Sequence, residues 1–205
     1  MSKLTLYHAA PSRSSIVHWM LEELGEPYDI QLVSFKKGEN RQPEFLAINP
    51  MGKLPTIKHG DTVITEAAAI CTYLADEFPQ AKLNIPVGNP QRGVYLKWLF
   101  FGPSCFEPAI TERAFPRKQP PPRSTLGFGD FETVMDVMAK GVGAAKPYLM
   151  GSQFTVADAY LYTTLTWASD AKVDLQPFAS LRAYRDRVAA RPAVQAARKA
   201  EGLPN

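Results

Sequence analysis

A proline-rich break near the middle of the chain constrains the fold more than any other feature of the sequence. The segment PQAKLNIPVGNP, Pro79–Pro90, holds three prolines and a glycine between two stretches of helical pattern. Proline and glycine interrupt regular secondary structure, so a run of this kind predicts a linker. We therefore expect one domain at residues 1–80 and a second at residues 90–205, joined by the linker 79–90.

Strand and helix patterns alternate before the linker. Short β-prone runs lie at Leu4–Tyr7 and Tyr28–Val33, and the turn Gly60–Asp61 separates two more, as in a tight hairpin. Apolar residues at helical spacing mark Ser15–Leu24 and Glu66–Phe78. With a short helical turn before the hairpin, the order β-α-β-α-β-β-α predicts a small mixed sheet with helices packed on it.

After the linker the pattern is helical throughout. Helices are expected at Gln91–Phe101, with a kink or break at Gly102–Pro103, and again at Thr155–Ser169 and Leu181–Ala190. The predicted fold class is thus an α/β domain followed by an all-α helical-bundle domain.

Composition and charge exclude several classes of function. The net charge of +3 divides into −3 on residues 1–80 and +6 on residues 81–205, without the clustered basic face typical of nucleic-acid binding. Two cysteines and three separated histidines fit neither a disulfide scaffold nor a structural zinc site. Because no apolar run has the ~20 residues of a membrane span and the first residues lack an apolar secretion core, we expect a cytoplasmic protein with no nucleic-acid, membrane or metal partner.

The motif PSRSS, Pro11–Ser15, lies between the first strand and the first helix. Hydroxyls and backbone N–H groups at a helix N-terminus favour an anion, and a hydroxyl there can donate to a thiolate or a phosphate. Ordinary N-capping by Ser12 or Ser14 is the alternative explanation.

Two further motifs allow both a ligand-binding and a structural interpretation. In NPMGKLPT, Asn49–Thr56, a cis peptide bond at Leu54–Pro55 would present the Leu54 N–H and C=O to a ligand, whereas a trans bond would simply begin an edge strand. Glu66, at the start of a helix, either stabilises that helix or accepts a ligand amino group. In FTVADAYL, Thr155 and Asp158 have the spacing of a capping box behind Phe154, and we interpret this motif as structural.

In this order and spacing, the motifs resemble those of the cytosolic glutathione S-transferase superfamily over nearly the whole chain. The resemblance rests on LYHAAPSRSS with WMLEELG downstream, NPMGKLPT, TEAAAICTYL, and FTVADAYL in the helical part. It implies a thioredoxin-like domain that binds glutathione as co-substrate, a helical domain that shapes a pocket for a small hydrophobic electrophile, and a homodimer. The helices of Glu66–Phe78 and Gln91–Phe101 are the implied contributors to the dimer.

The resemblance also implies roles for individual residues of the first domain. Leu54, before Pro55, would pair its backbone with the cysteinyl part of glutathione, and Lys53 would contact the glycyl carboxylate. Glu66 would contact the γ-glutamyl end. Ala67 stands where many members have a serine for the γ-glutamyl carboxylate, so only its backbone N–H is left for that contact.

The residue that activates the thiol is the most open assignment. Members use Tyr, Ser or Cys near the end of the first strand, and this chain has no cysteine there. Ser12 is the first choice, with Ser14 and Tyr7 as rivals, because a hydroxyl at the helix start favours the charged thiolate.

The co-substrate pocket is expected to draw on the helical domain, although an aromatic stripe at helical spacing is more often core. The candidates are Tyr95, Trp98, Phe101, Ser104, Cys105, Phe106, Arg113 and Tyr162. The expected function is attack of the glutathione thiolate on a hydrophobic electrophile, with peroxidase side activity. A non-catalytic binding or regulatory protein and a glutathione-dependent disulfide reductase are the alternatives.

Overall fold

The computed structural model describes residues 3–145 and 147–203 of the 205-residue chain. Its contacts divide the chain into two compact units: one ends at Ala81 and includes the chain again from Arg191, and the other is Lys82–Ala190. The first division lies within the predicted linker. The second differs from the expected helical domain at 90–205, because the C-terminal helix packs on the first helix of the chain.

The first unit is a four-stranded mixed sheet with helices. Its strands are β1 (Leu4–His8), β2 (Asp29–Leu32), β3 (Thr56–His59) and β4 (Thr62–Thr65), and its helices are α1 (Ser14–Leu24), α2 (Pro43–Leu46), α3 (Ala67–Glu77) and α9 (Pro192–Ala200). The strand order is β2-β1-β3-β4, with β1 parallel to β2 and antiparallel to β3, and β3 antiparallel to β4. The α/β class predicted for this part of the chain is confirmed.

Side-chain alternation along β1 explains how the sheet is covered. Leu4, Leu6 and His8 are buried, whereas Thr5 and Tyr7 between them are half-buried, as expected where successive side chains point to opposite faces. The helix that follows, α1, ends at Gly25, whose φ of +69° and N–H bond to the Leu21 carbonyl form a left-handed cap.

The C-terminal helix α9 returns to α1. Arg191, just before it, donates from two nitrogens to the two carboxylate oxygens of Glu23 on α1, each at 2.7 Å. Glu201, at the other end of α9, accepts from Ser15 and bonds His18, both on α1. Polar contacts at both of its ends thus fix α9 on the first unit.

The second unit is helical, as the sequence predicts. Its helices are α4 (Arg92–Phe101), α5 (Glu107–Ala114), α6 (Phe131–Gly143), α7 (Val156–Asp170) and α8 (Ala179–Ala189). The kink expected at Gly102–Pro103 is a π-helical turn, Gly102–Phe106, that joins α4 directly to α5. In the described residues, no helix combines the length and the apolar character that crossing a bilayer requires.

The capping box predicted at the start of α7 is present. The backbone N–H of Thr155 donates to Asp158 Oδ2 at 2.9 Å, which closes the box. Asp158 is fully buried and also accepts from the Leu149 N–H at 2.8 Å and from the Tyr184 hydroxyl. Its carboxylate therefore joins α7, α8 and the loop before α7, which fits a structural role.

Candidate functional site

The register of the sheet brings three sequence motifs to one edge. Tyr7 pairs with Thr56 across β1 and β3, and Thr56 pairs with Thr65 across β3 and β4. The end of β1, the start of β3 and the end of β4 therefore lie side by side. The turn before α1, the Leu54–Pro55 peptide and the start of α3 follow or precede these strand ends directly, so all three motifs meet at this edge of the sheet.

The turn before α1 contains a hydrogen-bonded pair of serines. The Ser12 and Ser14 hydroxyl oxygens lie 2.7 Å apart, and the Ser14 N–H donates to Ser12 Oγ at 3.1 Å. Ser14 is fully buried and its hydroxyl also contacts His8 Nδ1 at 2.8 Å and the Ala9 N–H at 3.1 Å. Ser12 is half-buried, so its hydroxyl is the one of the pair that a ligand can reach.

The third hydroxyl considered from the sequence, that of Tyr7, belongs to a side chain on the other face of the sheet. Its ring packs edge-on against Phe45 of α2, with 5.8 Å between the ring centroids. Together with Val33 and Ile48 it lines an open depression of about 390 Å³ beside β2. This packing accounts for an aromatic residue at position 7, and the structure does not bring Tyr7 into the serine cluster.

The loop before β3 is held by buried asparagines. Asn49 donates from Nδ2 to the Lys53 carbonyl at 2.9 Å and to Thr56 Oγ1 at 3.0 Å. The Leu54–Pro55 peptide bond is cis, the first of the two forms considered from the sequence. Within the described part of the chain, the Leu54 N–H and C=O have no hydrogen-bond partner and Lys53 has no ion pair. The loop thus leaves a backbone donor and a backbone acceptor of the buried Leu54 without a partner, beside an exposed lysine.

The start of α3 presents unpaired N–H groups. The first N–H groups of any helix have no intrahelical acceptor, and no described side chain caps α3. Glu66, immediately before it, is exposed and has a φ of +66°, a left-handed conformation that non-glycine residues seldom adopt. Such backbone strain concentrates at ligand-binding positions. Ala67, with no hydroxyl, leaves only its N–H at this point.

In the helical unit, the structure separates the predicted pocket residues into two groups. Tyr95 and Phe106 are fully buried and Tyr162 is nearly so, as side chains of a core are, and their assignment to a pocket stays a prediction. Trp98, Phe101, Ser104 and Cys105 are half-buried or exposed, and the Trp98 and Phe101 rings form an edge-on pair at 5.9 Å.

Arg113, the remaining pocket candidate, is exposed and lies against the Phe131 ring, 4.2 Å from its centroid. It pairs with Glu132 and lines a depression of about 420 Å³ between α5 and α6. The guanidinium is therefore already engaged by an aromatic face and a carboxylate of its own unit.

A buried polar cluster near the serines has no counterpart in the sequence prediction. His8 from β1, His18 from α1 and Glu201 after α9 bring their side-chain nitrogen and oxygen atoms within 4.8 Å of one another. Their positions in the sequence are far apart and show no spacing pattern. Only the return of α9 onto α1 assembles them.

The two parts of the chain match known protein families. Residues 2–76 match the N-terminal domain family of glutathione S-transferases, and residues 109–196 match the C-terminal domain family. Glutathione S-transferase GstA of Escherichia coli O157:H7 is 30% identical over 202 residues, which cover 98% of this chain and 100% of that protein.

Solved structures of the same kind align over nearly the full length. A glutathione transferase from Methylococcus capsulatus strain Bath has a TM-score of 0.83 and 35% identity, and covers 98% of this chain and 100% of its own. A sphingomonad glutathione S-transferase complexed with glutathione has a TM-score of 0.80 and 29% identity, with coverage of 98% and 100%. On both domain matches and these full-length similarities, the chain belongs to the glutathione S-transferase family.

Proposed function

We propose that this protein is an active glutathione S-transferase, which binds glutathione at the common edge of β1, β3 and β4 and joins it through its sulfur to a small hydrophobic electrophile. The observation that supports this most directly is the meeting of three motifs at that edge. A hydroxyl, an open backbone segment and an uncapped helix start lie together there, and each suits a different part of the tripeptide.

Glutathione would bind in an extended form. The open N–H and C=O of Leu54 would pair with its cysteinyl residue as a strand does, and the Lys53 ammonium would attract its glycyl carboxylate. The first N–H groups of α3, including that of Ala67, would donate to the γ-glutamyl carboxylate, which the helix dipole also favours. The exposed carboxylate of Glu66 would accept from the γ-glutamyl ammonium group.

Ser12 would activate the sulfur. Its hydroxyl donates a hydrogen bond to the thiolate and thereby lowers the pKa of the bound thiol, with help from the N-terminus of α1. The thiolate then attacks the electrophilic atom, a C–S bond forms, and the electron pair of the broken bond leaves with the displaced group or stays on the adduct. As a side activity, two glutathione molecules would reduce a hydroperoxide to an alcohol and water, with formation of one disulfide.

The electrophile is proposed to contact the accessible aromatic and polar side chains of the helical unit. These are Trp98, Phe101, Ser104 and Cys105. Their mixture of ring surface with a hydroxyl and a thiol suits a small apolar compound with one polar group.

A binding experiment with matched lysines tests the proposed site. Lys53→Ala should weaken glutathione binding in isothermal titration calorimetry about tenfold, in the range for losing one charge-assisted hydrogen bond. Lys58→Ala, which removes an exposed lysine of β3, should bind as the unchanged protein does.

A second ligand makes this test specific. Glutathione with its glycyl carboxylate esterified should bind the unchanged protein and Lys53→Ala equally, because the partner of Lys53 is then gone. If the unchanged protein neither binds glutathione nor conjugates any of a panel of electrophiles, the proposed function is wrong. If it does both and Lys53→Ala binds normally, only the assignment of Lys53 fails.

Ala67 supports one alternative, a non-catalytic binding or regulatory protein of the same family. Without a hydroxyl at this position the site has one contact fewer for glutathione, which favours weak binding. Conjugation of an electrophile that depends on Ser12 would exclude this alternative.

The environment of the cysteines disfavours a disulfide reductase in which a thiol of this protein reacts, and leaves disulfide reduction by glutathione thiols alone as the form of that alternative. Cys71 is fully buried, and burial raises its pKa far above the ordinary thiol range. Burial also raises the pKa of Cys105. Since the thiolate is the reactive form, neither cysteine is prepared for disulfide exchange near neutral pH.

A homodimer in the cytoplasm completes the proposal. On α4, one of the two helices expected at the dimer interface, Val94 and Phe100 expose 47% and 44% of their surface. Both side chains lie on a helix implied at the dimer interface, where contact with a second copy would remove them from water.

A further inference from the structure

The cluster formed by His8, His18 and Glu201 is almost completely shielded from solvent. Their side chains expose only 3–4% of their surface. His18 Nδ1 lies 2.7 Å from Glu201 Oε1, the Ser15 hydroxyl donates to Oε2 at 2.6 Å, and His8 Nε2 lies 3.6 Å from Oε1. Buried charges persist only where they are paired in this way.

The cluster is continuous with the serine pair. From Glu201 the chain of polar atoms passes through both nitrogens of the His8 ring to Ser14 Oγ at 2.8 Å, and from there to Ser12 Oγ at 2.7 Å. A buried carboxylate thus lies 3.6 Å from one nitrogen of an imidazole, and the other nitrogen is hydrogen-bonded through Ser14 to the half-buried Ser12 hydroxyl, which is proposed to face the glutathione sulfur.

The surroundings of Glu201 and His8 set the protonation states of these two groups. Burial would raise the pKa of Glu201, but the hydrogen bonds from His18 and Ser15 and the neighbouring imidazoles outweigh it, so the pKa lies below the ordinary 4.5 and the group is ionised at neutral pH. Burial lowers the pKa of His8 from the ordinary 6.5; Glu201 opposes this and His18 adds to it, so His8 is neutral.

These states allow hydrogen bonds that run in one direction along the polar atoms, although the Ala9 carbonyl, 3.2 Å from Ser14 Oγ, is a second acceptor for the Ser14 proton. A neutral His8 with its proton on Nε2, towards the carboxylate, leaves Nδ1 as an acceptor. Ser14 can then donate to Nδ1 and accept from Ser12. Among the titratable groups of the packed elements, Tyr28 donates to Glu22, and Arg191 pairs with Glu23.

We propose that the row of polar groups from Ser12 through Ser14 to His8 takes up the proton of the bound glutathione thiol. His8 and Glu201 are positioning residues that act through Ser14 and Ser12. The inference rests on the proposed function, because it requires glutathione at Ser12.

In this step the thiol proton passes to Ser12 Oγ, the Ser12 proton to Ser14 Oγ, and the Ser14 proton to His8 Nδ1. The S–H bond breaks and its electron pair stays on sulfur. The result is a thiolate that accepts a hydrogen bond from Ser12 and an imidazolium beside the Glu201 carboxylate. After the C–S bond forms, the proton returns through Ser14 and Ser12 to the leaving group or to solvent.

The test is the variant His8→Asn, in which a side-chain oxygen can still accept from Ser14 but cannot take a proton. The pKa of bound glutathione, followed by the ultraviolet absorbance of the thiolate across pH, should rise by about one unit. The profile of kcat/KM against pH should move with it, which gives about a tenfold loss at pH values well below the pKa of the bound thiol in the unchanged enzyme, while KM for glutathione stays near that of the unchanged enzyme.

Three variants control this experiment. His59→Asn removes a half-buried imidazole of β3 that bonds Tyr73 and has no part in the row of polar groups from His8 to Ser12. It should leave the profile of kcat/KM against pH unchanged. Glu201→Gln should shift the thiol pKa in the same direction as His8→Asn. It replaces His8→Asn as the test variant if His8→Asn does not fold. In a Ser12→Ala background, His8→Asn should cause no further shift, because the connection to sulfur is already broken.

An unshifted thiol pKa in folded, active His8→Asn and Glu201→Gln would overturn the proposal. So would a full additional shift in the Ser12→Ala background, or a stoichiometric divalent metal in the purified protein, since the metal would occupy the same nitrogen and oxygen atoms. Failure of the unchanged protein to bind or conjugate glutathione would instead contradict the proposed function itself.

Discussion

Ser12 and Ser14 have the same side chain but different surroundings. Ser14 is fully buried and its hydroxyl serves His8 and the Ala9 backbone within the fold. Ser12 is half-buried and is bonded only within the turn. A ligand reaches the Ser12 hydroxyl and not that of Ser14. We therefore expect Ser12 to act on the sulfur directly, and Ser14 to act on it only through Ser12 while it also stabilises the turn.

Ser12→Ala should lower kcat/KM for conjugation by about 10²-fold, in the range for losing one preorganised donor, and should lower the free energy of unfolding by about 1 kcal/mol, because the Ser14 N–H loses its side-chain acceptor. Ser14→Ala should lower the free energy of unfolding by about 1–3 kcal/mol, because buried groups on His8 and Ala9 lose their partner. Urea denaturation and pH–rate profiles of both variants provide the two readouts.

Tyr7→Phe is the matched comparison for Tyr7, the third candidate for the residue that activates the thiol. It keeps the ring that packs on Phe45 and removes only the hydroxyl. Its pH–rate profile should match that of the unchanged protein. A large upward shift of the profile in Tyr7→Phe, with a normal Ser12→Ala, would move the catalytic assignment to Tyr7.

At the scale of elements, the junction between α4 and α5 depends on a glycine. A Cβ added at Gly102 would lie 2.6 Å from Cδ1 of Tyr160, a fully buried side chain of α7. The π-helical turn thus brings its backbone against the Tyr160 ring. The sequence predicts a kink from Gly102–Pro103, but only the packing of α7 gives the reason for the missing side chain.

Gly102→Ala should lower the free energy of unfolding by about 1–3 kcal/mol, the usual cost of overpacking a core. Gly93→Ala, in α4 with nothing within 4 Å of the added Cβ, should instead raise it by up to about 1 kcal/mol, because alanine is the better helix former. Thermal and urea denaturation measure both. Equal effects of the same sign would show that helix propensity, rather than the contact with Tyr160, determines the outcome.

At the scale of the whole molecule, the proposed homodimer explains why α4 keeps apolar side chains in water. Val94 and Phe100 are exposed on a helix that is otherwise anchored by the buried Tyr95 and Leu99. Burying such side chains between two copies removes apolar surface from water, which is the main stabilising contribution to association.

Light scattering after size exclusion should give twice the chain mass of 22.7 kDa. The double variant Val94→Asp with Phe100→Asp should run as a monomer, because it places two charges in the proposed interface. Val87→Asp, which changes an apolar residue with 81% exposure outside the helices, should remain dimeric. A monomeric unchanged protein would contradict the proposal.

The sequence by itself determines the order of elements, the division of the chain near Pro79–Pro90, the capping box of Thr155 and Asp158, and the motifs at the ends of β1, β3 and β4. These are local properties, since hydrophobic period, turn residues and helix caps depend on neighbours a few positions away. The family resemblance follows from the same local motifs and is confirmed by the domain matches.

Only the tertiary structure determines which side chains from distant segments meet. It assigns Tyr95 and Phe106 to the core, places Tyr7 on Phe45, and joins α9 to the first unit. It also brings Glu201 to His8, 193 positions apart along the chain, a contact that no periodicity encodes. The environment of a buried imidazole is the sum of contacts from every element packed around it, and so it exists only once the chain has folded.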